Sequence, residues 1–125
     1  MTDFNAPDTD DPSAEWVTFS HFGGADLVRL AGEIDMANAP VIGAQIAART
    51  ASSGAVLIDL TAVSFLDSAG VRLLDTLVGA FGERRTPIRL VVPAAGPVRL
   101  ILTICAFRED VLATDLPAAA AAVGR

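Results

Sequence analysis

Lysine and tyrosine are missing from this sequence, and histidine, cysteine and tryptophan occur once each, as His21, Cys105 and Trp16. All nine basic residues are therefore arginines. Without lysine there is neither a P-loop, whose phosphate cradle needs one, nor a Schiff-base enzyme, whose nucleophile is a lysine amine. One histidine and one cysteine do not supply the clustered ligands of a zinc site or the nucleophile and base of a hydrolytic triad. No intramolecular disulfide can form, a lone thiol in an apolar segment reads as a small buried hydrophobe, and a reducing compartment follows. A basic start leading into an apolar stretch is also lacking, and the longest apolar segment, Val98–Phe107, is interrupted by Arg99 and far too short to span a bilayer. The expectation is a cytoplasmic protein that is not an integral membrane protein.

Aromatic residues make up only 6% of the chain against 52% hydrophobic residues in all, so the core is expected to be aliphatic, built from Val, Leu, Ile and Ala. At 125 residues the chain suits one domain with one hydrophobic core. The formal charge is −6, but five of the fifteen acids (Asp3, Asp8, Asp10, Asp11 and Glu15) stand in the first fifteen residues with no base among them. Subtracting these leaves ten acids against nine arginines, a nearly neutral domain without the basic stripe that displaces counterions from nucleic-acid phosphates. Direct nucleic-acid binding is not expected.

Residues 1–14 are polar, acidic and broken by Pro7 and Pro12, which predicts a flexible N-terminal tail ahead of a single domain over residues 15–125. Trp16–Ser20 and Asp26–Leu30 read as strands joined by His21-Phe22-Gly23-Gly24, where the glycines permit a tight hairpin and His21 sits in the turn. Asn38 offers a cap and Pro40 a first turn for a helix to about Arg49, with Val41, Ile42 and Ile46 as its apolar stripe. Ala55–Leu60 is a nearly unbroken apolar run, the mark of a central parallel strand covered on both faces. A second helix is expected from Ser68, because Leu74, Leu77, Val78 and Phe81 recur at helical spacing while Arg72, Asp75 and Thr76 turn outward. Ile88–Val92 reads as a strand and Gly96–Phe107 as a third helix. That helix is apolar on nearly all sides, which implies deep burial or a surface for a partner, a homodimer included. Val111–Thr114 and a helix opened by Asp115 and Pro117 complete a ββαβαβαβα order. The fold class is α/β, a mixed and mostly parallel sheet with an antiparallel edge hairpin and about four helices.

Chemistry-bearing residues are few. Asp35 and Asp67 both fall just beyond predicted strands, where α/β sheets place their sites, but no electrophile, oxyanion hole or phosphate cradle accompanies them. They read as caps and turn formers, no cofactor or metal is called for, and the chain is expected not to be an enzyme. Ser68 stands where a loop joins an amphipathic helix, and by position alone it is a helix cap.

Three segments together, Gly32-Glu33-Ile34-Asp35, Ile58-Asp59-Leu60 and Phe65-Leu66-Asp67-Ser68-Ala69-Gly70, resemble the STAS domain of bacterial anti-sigma-factor antagonists, over roughly Glu15 to Val123. The resemblance implies that Ser68 is phosphorylated by a partner that is both an ATP-dependent serine kinase and an anti-sigma factor. It places Asp35 at the partner-facing end of the sheet, with Asp67, Ala69, Gly70 and Val71 beside it as partner-binding residues, Gly70 reading equally as a small residue that lets the helix pack closely on the sheet. The unphosphorylated form would capture the anti-sigma factor and free the sigma factor; the phosphorylated form would let go until a phosphoserine phosphatase resets it. Many such antagonists carry a second hydroxyl residue where this sequence has Ala69, so Ser68 is the only acceptor in the motif. Small apolar residues at that position also occur in the STAS subunit of lipid-transporting ABC systems, which is the alternative reading. Under the first reading, Asp35→Ala or Asp67→Arg is expected to weaken capture and to leave the melting temperature within a few degrees.

Overall fold

A computed structural model describes residues 16–124. The predicted flexible tail, residues 1–14, lies outside the described residues. Two strands, β1 (Val17–Phe22) and β2 (Ala25–Ile34), form an antiparallel hairpin around Gly23 and Gly24. Both glycines have positive φ, +59° and +85°, the pair of values a two-residue turn needs to match the twist of its strands. The turn is tighter than predicted. His21 is thereby in β1 rather than in the turn, opposite Asp26, with its Nδ1 3.0 Å from the Asp26 carboxylate.

The chain continues through α1 (Ala39–Arg49), β3 (Val56–Leu66), α2 (Ser68–Glu83), β4 (Ile88–Val91) and α3 (Pro97–Ile104). A single 3-10 turn (Glu109–Val111) leads into β5 (Leu112–Ala113), and α4 (Leu116–Val123) follows. The sheet order is β1-β2-β3-β4-β5, antiparallel for the first pair and parallel thereafter, as expected.

Alternation along the strands divides the interior in two. Val28 and Leu30 on β2, Val56, Ile58 and Leu60 on β3, and Ile88 and Leu90 on β4 face one side, where Ile42 and Ile46 of α1, Leu74, Val78 and Phe81 of α2, and Val98 and Leu102 of α3 close the main core. Leu27, Leu57 and Val91 point to the opposite face and meet Ala119 and Val123 of α4. β3 is thus covered on both sides, which is why its first half reads as a continuous apolar run. Asp59 interrupts that run on the α4 side and is buried, its carboxylate accepting from Arg29 Nε at 3.2 Å and from the Thr61 amide at 2.9 Å. Both lone-pair sets are used, so the buried charge is paired.

Three expectations are corrected. β3 does not stop at Leu60 but runs to Leu66, because β2 continues alongside it. Between Asp26↔Val56 and Ile34↔Leu66 the partner strand advances two residues further than β2, so two bulges break the alternation that marks a strand in sequence. α3 is shorter than predicted, and of the two alternatives held for it deep burial is excluded, Leu100 and Ile104 being 59% and 73% exposed. Cys105 is likewise exposed, since α3 ends there and its thiol leaves the helix's packed side.

The ends of α2 and α3 share one device. Behind α2, the amides of Arg85 and Thr86 donate to Gly82 (3.1 Å) and Phe81 (2.9 Å); behind α3, those of Ala106 and Phe107 donate to Thr103 (3.0 Å) and Leu102 (2.9 Å). This double closure requires a left-handed residue just past the helix, normally glycine. Here Arg85 (φ +57°) and Ala106 (φ +55°) occupy it. Arg85→Gly and Ala106→Gly are each expected to raise unfolding free energy by about 1 kcal/mol, read as a higher urea midpoint at unchanged slope.

Candidate functional site

The carboxyl ends of β2 and β3 lie side by side, Ile34 paired with Leu66, and the residues that follow them are Asp35 and Asp67. Parallel pairing brings the two motifs together although they are 32 positions apart in sequence. Asp67 is the N-cap of α2: its Oδ1 accepts from the Gly70 amide at 3.0 Å, and its Oδ2 accepts from the Met36 amide at 3.1 Å, tying the β2–α1 loop to the helix start. Its own amide donates to the Ile34 carbonyl at 3.2 Å. The capping role expected of Ser68 therefore belongs to Asp67. Removing its carboxylate costs about 1 kcal/mol for the cap alone, so Asp67 is a structural clasp as well as a surface acid. The expectation that Asp67→Arg leaves the melting temperature within a few degrees is thereby corrected: that substitution loses both bonds and sets a cation at the positive end of the helix.

Asp35 is half-buried and organises its own loop, Oδ1 accepting from the Ala37 amide at 2.9 Å. Asn38 stands at the N-cap position of α1 but makes no cap bond. Its side chain is buried and turns back toward the strand, Oδ1 accepting from the Asp35 amide at 2.9 Å and Nδ2 donating to the Glu33 carbonyl at 2.8 Å. The expected cap is thus a brace for the β2–α1 corner.

Ser68 is the first residue of α2 and is exposed, and among the described residues its hydroxyl has no hydrogen-bond partner. The amides of Ser68 and Ala69 belong to the first helical turn and have no acceptor within the helix, so the positive end of α2 opens toward the serine oxygen. Ala69 and Val71 are half-buried, packed against the core. Gly70 is buried: a Cβ there would lie 2.8 Å from the Ile34 carbonyl oxygen and 3.0 Å from Leu66 Cδ2. Of the residues expected on the partner-facing surface, Asp35, Asp67, Ala69 and Val71 are half-buried and Gly70 is buried, where it lets helix and strand approach; Ser68 is exposed, and so is Met36 (77%), a residue outside the expected set.

Ser68 also lines an open groove of about 450 Å³ with Val71, Arg72 and Asp75 of α2 and Cys105, Ala106, Phe107 and Arg108 from the segment after α3. Arg108 grips Asp110 through two bonds of 3.0 and 2.8 Å, and the hydrogen bond holds the Asp110 carboxyl below the usual carboxylate range. Among the described residues no group of three or more His, Cys, Asp or Glu side chains is arranged to hold a metal, and no helix is long and apolar enough to cross a membrane.

The sequence profile of the STAS domain matches residues 19–118. The chain belongs to the STAS-domain family. An anti-sigma factor antagonist from Mycobacterium paratuberculosis has a similar crystal structure, at 30% identity and a TM-score of 0.78, covering 87% of this chain and 93% of that one. A protein from Thermotoga maritima described as a candidate anti-sigma factor antagonist is similar at 15% identity and a TM-score of 0.72, over 87% of this chain and 95% of that one. The anti-sigma factor antagonist SpoIIAA, solved in its unphosphorylated form, shares the fold at 18% identity and a TM-score of 0.61, over 81% of this chain and 90% of that one. Bacillus SpoIIAA in its phosphorylated form does so at 18% identity and 0.57, over 78% and 88%. A search of curated proteins found no significant match.

Within this STAS domain the groove arginines are the residues that sequence reasoning passed over. Arg72 was legible only as part of an outward polar face, although its place four residues after Ser68 puts both on one side of α2. Arg108 and Cys105 carry no local signal, because the crossover from β4 to β5 alone brings them to the start of α2.

Proposed function

We propose that this STAS domain is an anti-sigma-factor antagonist that captures an anti-sigma factor with serine kinase activity while Ser68 is free and releases it when Ser68 is phosphorylated. The observation that carries the reading is the unpartnered, exposed hydroxyl at the positive tip of a sixteen-residue helix, beside a corner held by Asp35, Asn38 and Asp67. The 30% identity to an anti-sigma factor antagonist over most of both chains supports it, as does the shared fold of SpoIIAA in both its forms.

In the modification, Ser68 Oγ takes the γ-phosphoryl group of ATP, ADP leaves, and the hydroxyl proton passes to a base of the kinase. The added charge of about −1.5 to −2 meets helix amides on the inside, so the fold keeps its shape. On the outside it adds a hydrated dianion to a surface already bearing Asp67 and Asp35, and a partner packed there is expelled. A phosphoserine phosphatase then restores the free hydroxyl, and the chain itself catalyses neither step. Transcription is controlled in the cytoplasm through the partner, without contact between this domain and nucleic acid.

The test is a pulldown from native lysate with mass spectrometry. Recovery of an ATP-binding kinase together with a phosphate mapped to Ser68 is the expected result. Recovery of an ATP-binding cassette protein with membrane components, and no phosphate at Ser68, would replace this reading with that of a transporter subunit.

A further inference from the structure

We propose that the groove beside Ser68 is a built seat for the phosphate on that serine, with Arg72 and Arg108 as its cationic walls. The inference rests on Ser68 being the modified residue and adds where the phosphate goes and what holds it.

Arg72 follows Ser68 by four positions on α2, a spacing that sets the two Cβ atoms about 5–6 Å apart on one helix face. Both side chains line the groove, and Arg72 makes no hydrogen bond or ion pair among the described residues. The anion would lie N-terminal to the cation along the helix, the orientation in which such pairs are favourable. The opposite wall comes from the segment after α3. Ala106 in the left-handed conformation turns the chain back, buried Phe107 anchors it, and Arg108 is delivered to the groove rim.

Arg108 is engaged by Asp110, but both side chains of that pair are more than half exposed, where such contacts contribute little. A phosphate dianion offers three acceptor oxygens and about twice the charge of a carboxylate, and guanidinium groups recognise it by paired hydrogen bonds. The other titratable groups around the seat are Asp75 and Cys105 on its walls, Asp110 behind Arg108, and Asp67, whose two oxygens are already taken by the Gly70 and Met36 amides. Asp75 lies two turns beyond Ser68 along the helix and acts on Arg108 through space, so it is a weak competitor of the phosphate for that guanidinium. Retained in this way, the phosphate is fixed on the docking face instead of swinging free, and it withdraws Arg72 from any carboxylate of a partner.

The test uses the full chain with phosphoserine placed at position 68 during translation, so that no kinase is needed. Its second ionisation, near pH 6 when unperturbed, is followed by phosphorus NMR in the parent and in Arg72→Gln, Arg108→Gln and Arg72→Lys. In the two glutamine variants the midpoint is expected to rise by about 0.5 pH unit each relative to the parent, as loss of a cation at about 6 Å in water implies, while Arg72→Lys keeps the lower value. A midpoint that stays within about 0.1 unit of the parent in both glutamine variants would overturn the proposal, because the helix amides alone would then account for any lowering. All three positions, 68, 72 and 108, are exposed, so each variant is expected to fold. Partner release measured on the same samples separates the two claims. Phosphate-dependent release with unmoved midpoints removes the seat and keeps the switch; moved midpoints without release keep the seat and remove the switch.

Discussion

Replacing Ser68 with aspartate is expected to lower affinity for the anti-sigma partner roughly 100-fold, while Ser68→Ala binds like the parent and no longer responds to the kinase. Both effects follow from position. Ser68 is the first residue of α2 and is exposed, so the substitutions change no buried contact, and an acid in a first helical turn interacts favourably with the helix dipole. The melting temperature of either variant should therefore stay within a few degrees of the parent. Across an interface the same charge acts in the opposite sense. It must be stripped of water and held beside Asp67 and Asp35, against partner groups chosen to complement a neutral hydroxyl. A penalty of about 2–3 kcal/mol for such a mismatch corresponds to the loss of affinity named above. Titration calorimetry with the recovered partner reads the dissociation constants directly. Equal binding by Ser68→Ala and Ser68→Asp would sink the switch, because the site would then be indifferent to charge.

How much of this was legible beforehand depends on how local the determining chemistry is. The Ala55–Leu60 run announces a doubly covered strand from composition alone, and Asp115 followed by Pro117 announces α4, where the Asp115 carboxylate does accept from the Ala118 amide at 2.8 Å. The start of α2 was equally clear, since helical spacing of Leu74, Leu77, Val78 and Phe81 needs no tertiary context. Which residue caps it was not. Asp67 and Ser68 are both good caps, and only the backbone, extended at Asp67 and helical at Ser68, decides between them. Asn38 shows the same ambiguity in another form: a cap and a brace demand the same side chain, and the choice was made by the Asp35 amide and the Glu33 carbonyl behind it. The second half of β3 was hidden because two bulges erase the period of two. The exposure of Cys105 was hidden because an apolar neighbourhood in sequence says nothing of where a helix ends. The Ser68 groove is the least legible feature, since its walls come from segments at least thirty residues apart.

Gly70→Val is expected to destabilise the domain by about 3 kcal/mol and Gly70→Ala by about 1–2 kcal/mol, even though alanine is the better helix former by about 1 kcal/mol. Gly70 lies in the first turn of α2, and its φ is not one that requires glycine, so conformational freedom is not the reason for the residue. Space is the reason. A Cβ would approach the Ile34 carbonyl to 2.8 Å and Leu66 Cδ2 to 3.0 Å, and the first of these is backbone that cannot rotate away. Relief requires α2 to lift from the ends of β2 and β3, where the Ile34 carbonyl holds the Asp67 amide and Asp67 in turn holds Gly70 and Met36. The displacement would therefore loosen the helix cap and the β2–α1 loop together, and with them the surface on which Ser68 and Met36 are presented. Urea denaturation of both variants measures the first effect, and amide hydrogen exchange at Asp67, Gly70 and Met36 measures the second, faster exchange at all three being the expected result. If Gly70→Ala proves as stable as the parent with those amides still protected, helix and strand do not meet as closely as 2.8 Å implies, and the rigid corner beneath Ser68 loses its physical basis.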